Sequence, residues 1–80
     1  MPYITQERRD ALVTTPPECA GELNYCITRL IVDYVRARGE SYHVFNDVLG
    51  ALSGAQAEFY RRVAAPYEDE KCKLNGDVYQ

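Results

Sequence analysis

The chain has no tryptophan, a single histidine, one methionine, and only five glycines and four prolines in eighty residues. So little Gly and Pro, beside 46% hydrophobic and 26% charged residues, excludes a low-complexity linker and marks a globular chain. Long apolar runs are missing too: nothing approaches the roughly 18 residues that a membrane span requires. Nor is positive charge in excess. Nine Lys and Arg stand against twelve Asp and Glu, a net charge of −3, so no global field draws the chain to DNA or RNA. The three cysteines, Cys19, Cys26 and Cys72, are odd in number and form no CxxC pair. This excludes a disulfide framework and points to reduced thiols in a cytoplasm, in keeping with a start, MPYITQERRD, that lacks the charged and apolar regions of a secretory signal.

What is present is helical periodicity, and the expected fold is all-α in one small domain, residues 1–80. Residues 1–20 read as an arm and connector. Thr5 is placed to cap a short turn through Gln6–Val13, and Pro16 and Pro17 then break any helix. Over 21–38 the apolar residues Leu23, Ile27, Leu30, Ile31 and Tyr34 recur at three and four residues, which predicts a helix with one buried face, stopped by Gly39. Ser41 is a good N-cap for a second helix over 42–64, with Phe45, Val48, Leu49, Leu52, Ala55, Gln56, Phe59 and Val63 on one face and Pro66 as its end. The short connection favours an antiparallel helical hairpin. Residues 66–80, with the Asn75–Gly76 turn signal, read as an irregular tail lying over a neighbouring surface.

A core this thin is marginal. Ordering about 65 residues costs on the order of 100 kcal/mol, so assembly of several copies as a homo-oligomer is expected. Two faces outside the core stripes suit that role. Tyr25, Arg29, Val32 and Arg36 share one side of the first helix; as an ordinary solvated face they need no explanation, and as an oligomer contact they make a heptad-like strip. Gly50, Gly54 and Ala57 lie opposite the Phe45–Phe59 stripe of the second. Two glycines inside a helix each cost about 1 kcal/mol against Ala, which close approach of another helix would explain.

Candidate chemistry is sparse. His43 has no partner at metal-ligand spacing, so it reads as a capping or surface residue, and Cys26 reads as an inert core thiol. Glu58, Glu68, Asp69, Glu70 and Asp77 lack the spacing of a calcium loop. No metal and no cofactor is therefore expected. Tyr60, Arg61, Arg62 and Tyr67 bring aromatic planes and guanidinium forks together, a combination that holds phosphate and bases and that also makes protein–protein hot spots.

The blocks PYITQERRD at 2–10, GELNYCITRL at 21–30, GESYHVFNDVLGAL at 39–52, AEFYRRVAAPYEDEK at 57–71 and NGDVY at 75–79 resemble a family of short uncharacterised proteins of bacteriophages and prophages, a domain-of-unknown-function family. Family members carry a longer helical segment before the GELNY block, where this chain has only Ala11–Ala20 with Pro16 and Pro17. The resemblance implies a phage setting in the host cytoplasm, in which a small non-catalytic homo-oligomer sequesters a host immune signalling nucleotide as an anti-defence protein. Arg61 and Arg62 would take phosphate, Tyr60 or Tyr67 a base, and Arg29 and Arg36 would come from a neighbouring subunit. The rival is a protein-interaction module docking a host or phage protein through Tyr25, Val32, Gly50 and Gly54. A small nucleotide-acting enzyme using Glu58 or His43 in an acid/base role near those arginines ranks last.

Overall fold

The computed structural model describes residues 4–79; Met1–Tyr3 of the expected arm and Gln80 of the expected tail lie outside it. The fold is all-α, with no strand among the described residues. The helices are α1 (Gln6–Ala11), α2 (Ala20–Arg38), α3 (Tyr42–Phe59) and α4 (Ala65–Asn75), with a π-helical turn at Tyr60–Ala64 that joins α3 to α4 without a break. The chain divides into two compact units, Met1–Phe45 and Asn46–Gln80.

Local chemistry sets most of the boundaries. Thr5 accepts a hydrogen bond at its Oγ1 from the Arg8 N–H, an N-cap for α1, and Ser41 Oγ does the same for the Val44 N–H at the start of α3. Gly39 ends α2 with φ +87°, a left-handed-side conformation that glycine adopts without a Cβ clash, and Gly76 ends α4 in the same way.

The expected end of the second helix is corrected. Pro66 does not stop it; helical structure continues to Asn75, so the irregular tail begins at Gly76 and not at residue 66. A proline inside an α-helix lacks one N–H and presses its ring on the carbonyl four residues back, here that of Arg62. The π-turn lies over that stretch, and the Ala65 N–H bonds the Tyr60 carbonyl five residues earlier. One extra residue in the turn makes room for the ring, and the helix resumes.

Inside the first unit the arm is more than a connector. Arg8 on α1 donates through Nε and Nη2 to the two carboxylate oxygens of Glu22 on α2, both at 2.7 Å. Glu18 lies 3.7 Å from the same guanidinium, and its backbone N–H donates to Glu22 Oε1 at 3.0 Å. This clasp ties α1 to α2 through side chains, and Leu12 and Val13, which follow α1, lie beside Tyr25 and Cys26; both of these are half-buried, as are Thr28, Val32 and Val35. Of the stripe expected to form the core of α2, Leu23, Ile27 and Leu30 are exposed and Ile31 and Tyr34 are half-buried. The covered side of α2 thus takes in part of that stripe together with Tyr25 and Val32, which the sequence marks as spare. Val44, at 6% exposure, is the only described side chain that is buried.

Candidate functional site

In the second unit the helix carries the residues of the expected anion site, and its 3.6-residue period sorts them. Arg61 donates from Nη2 to Glu58 Oε1 at 3.0 Å, and Arg62 Nη1 lies 3.7 Å from Glu58 Oε2. These are i,i+3 and i,i+4 pairs on an exposed surface, a local arrangement worth little in stability, and both guanidiniums face a carboxylate of their own chain. Tyr60 turns elsewhere. Its hydroxyl donates to Glu68 Oε1 at 2.8 Å, and that hydrogen bond, with the nearby carboxylate charge, pushes the Tyr60 phenol above its ordinary value of 10.

A groove of about 540 Å³ opens beside Tyr60 and Tyr67, and Lys71 sits over the Tyr67 ring, 5.5 Å from its centre. Glu68, Asp69 and Asp77 line it, whereas Arg61 and Arg62 do not. Three carboxylates against one ammonium make this groove repel anions. The structure therefore brings Tyr60 and Tyr67 together and leaves the two arginines outside.

A second groove, of about 480 Å³, belongs to the first unit. Its apolar lining comes from Leu12, Val13, Cys26 and Leu30, its polar lining from Arg9, Tyr25, Arg29 and Asp33. Arg29 donates to Asp33 at 3.0 Å across one turn of α2. Arg29 and Tyr25, marked by the sequence for ligand and interface roles, thus meet here with Arg9, which the sequence reading passed over. Arg36 is exposed near the end of α2 and does not line the groove. The only signal for Arg9 was its place one residue after Arg8, on a helix too short to stand out.

The clasp beside this groove was also missed, because its partners are fourteen residues apart with two prolines between. It holds Glu22 firmly charged. The hydrogen bonds from Arg8 and from the Glu18 backbone bring the Glu22 carboxyl down from 4.5 to about 2, and Arg8 is raised in turn.

Gly50, Gly54 and Ala57 are exposed, and a Cβ at either glycine would meet nothing within 4 Å. The three cysteines are free thiols, Cys26 half-buried and the others exposed. Among the described residues no three His, Cys, Asp or Glu side chains gather to hold a metal ion, and no helix is long and apolar enough to cross a membrane.

What the described residues define is an all-α fold with an open groove in each unit and a long exposed helical surface. The chain belongs to the family described as a domain of unknown function (DUF6899), which matches it over residues 1–78. No curated protein and no solved structure matches the chain.

Proposed function

We propose that this protein is a small non-catalytic binding module that works as a homo-oligomer and engages a protein partner, in the phage setting that its sequence resemblance implies. One observation carries the reading. From Val48 to Ala57 the helix has ten residues without a charge, and from Leu49 onward each of them is exposed in the single chain. A solvated helix surface normally alternates apolar with charged faces, and a stretch uncharged on all sides is the mark of a helix meant to be covered.

Sequestration of a nucleotide is the second reading, and its support has moved. Arg61 and Arg62 face Glu58, and the tyrosine groove is acidic, so the groups that favour such a ligand are Arg9 and Tyr25 of the first unit, beside Arg29, which is itself paired with Asp33. The phosphate would take the guanidiniums and the base the Tyr25 ring.

Two measurements test the pair of readings. Light scattering across a dilution series should give a mass of two chains or more, and a monomer throughout would sink the homo-oligomer. A thermal-shift panel of linear and cyclic nucleotides should leave the melting temperature unmoved under the first reading, since a ligand that binds the folded chain must raise it. A saturable shift abolished by Arg9→Ala or Arg29→Ala would instead establish the second.

A further inference from the structure

Resting on the homo-oligomer reading, we infer that a second copy of the chain packs along one apolar seam of the second unit, and that the π-turn keeps this seam on one side of the helix. The seam runs through Leu49, Leu52, Phe59, Val63, Tyr67 and Leu74, all of them exposed, Leu49 at 64%, Phe59 at 63% and Leu74 at 68%. Their spacings are 3, 7, 4, 4 and 7 residues. Helices that pair alternate steps of three and four, closing a seven-residue repeat, so the two consecutive steps of four carry one residue too many. On an unbroken α-helix that extra residue would set Tyr67 about 80° away from Phe59 around the axis.

The extra residue falls where the π-turn lies, between Phe59 and Ala65. A π-turn takes up one residue more than an α-turn, which brings positions eight apart back into line. The Tyr60–Glu68 hydrogen bond, at 2.8 Å, is a side-chain contact across the turn that fits such an alignment for one pair eight residues apart. Phe59 and Tyr67 are the adjacent pair with the same spacing. The apolar line therefore passes through the proline region uninterrupted.

A second copy fits this line better than an unrelated surface. The stripe is about 38 Å long at about 1.5 Å per residue, and two identical stripes are complementary to each other about a two-fold axis. Six large side chains at more than a third exposure, on each of two copies, supply on the order of 1,000 Å² of buried surface, the lower bound for a stable interface. The opposite side offers Gly50 and Gly54 with open space above them and no large apolar group to bury.

The test compares four variants with the wild type by sedimentation equilibrium, with circular dichroism as the check on helix content. Leu52→Lys, at the seam, should weaken self-association by at least about tenfold, and Gly54→Lys, on the opposite side, should leave it unchanged. Inserting one alanine after Ala64 turns the later half of the seam by about 100° and should separate the copies while the helix persists. Pro66→Ala combined with deletion of Ala64 restores a seven-residue step in a plain α-helix and should retain association. If the wild type is an oligomer but both Leu52→Lys and the insertion leave it intact, the seam is wrong and the homo-oligomer reading stands. A wild type that is monomeric at about 100 μM overturns both.

Discussion

The two units of the chain solve opposite problems. In the first, a six-residue helix that could not persist alone is fastened to a longer one by a bidentate ion pair, and the side of α2 beneath it is half covered. In the second, the Tyr60–Glu68, Arg61–Glu58 and Tyr79–Asp77 contacts are each local to one helical stretch or the turn after it, and large apolar residues such as Leu49, Phe59 and Leu74 face solvent. The first unit uses charge to hold chain to chain within itself. The second leaves Leu49, Leu52, Phe59, Val63, Tyr67 and Leu74 exposed, and this is why we propose self-association there.

The sharpest way to break this contrast is to remove the clasp. Arg8→Ala should free α1 from α2, with loss of hydrogen-exchange protection over residues 8–15 and no change in the second unit. Acid should do the same reversibly. The Glu22 carboxyl is lowered from 4.5 to about 2, so the folded unit binds its proton less readily than the released chain. The stabilisation is therefore complete above pH 4.5, declines as pH falls through that window, and is gone near 2. Carboxyl NMR shifts should report a Glu22 midpoint near 2 in the wild type and a clearly higher one in Arg8→Ala, where only the Glu18 N–H still lowers it. An unshifted Glu22 in the wild type would remove the clasp as the organising contact. Arg8 plays no part in this window, because it is charged throughout.

That clasp marks the limit of what was legible in the sequence. Thr5, Gly39 and Ser41 act through their own neighbours, and their caps and stop could be read directly from residue type, whereas Gly76, a turn signal in the sequence, ends a helix that was not expected there. Arg8 and Glu22 meet only through the turn at Leu12–Thr15 and the connector that follows it, and nothing in either residue's surroundings announces that. Pro66 misleads for a different reason. The rule that proline ends a helix assumes a regular α-turn before it, and here the preceding turn is π. The Phe45–Val63 stripe is apolar, but Phe45, Leu49, Leu52, Phe59 and Val63, expected in a core, are exposed, because periodicity records which face is apolar and not whether anything covers it. At the candidate site, the Glu58 pairing of Arg61 and Arg62 follows from spacings of three and four, whereas the acidic lining around Tyr60 depends on the helix continuing beyond Pro66.

A smaller effect sharpens the distinction between the two sides of the second unit's helix. Gly50→Ala and Gly54→Ala should each stabilise the folded chain by about 1 kcal/mol in denaturant unfolding, since the added methyl meets nothing and Ala is the better helix former. They should leave the oligomer mass as it is. A loss of association from either change would transfer the contact between copies from the apolar seam to the glycine side.

The weakest contact tests whether the π-turn is made by side chains or by the backbone. Tyr60 and Glu68 are joined by one exposed hydrogen bond, which holds the phenol proton to a pH above the ordinary value because a phenolate would face the Glu68 carboxylate. Glu68→Gln removes that charge, so Tyr60 should ionise at lower pH in an absorbance titration, with Tyr60→Phe identifying the step that disappears. The turn itself should survive both changes. Its cause is the Pro66 ring against the Arg62 carbonyl, a clash that remains whatever Tyr60 does. Backbone NMR shifts over Tyr60–Ala64 should accordingly stay in place in Tyr60→Phe and move in Pro66→Ala. If Tyr60→Phe alone collapses the turn to α spacing, then the hydrogen bond sets the register of the seam, and the second unit, like the first, is organised by a polar contact between side chains.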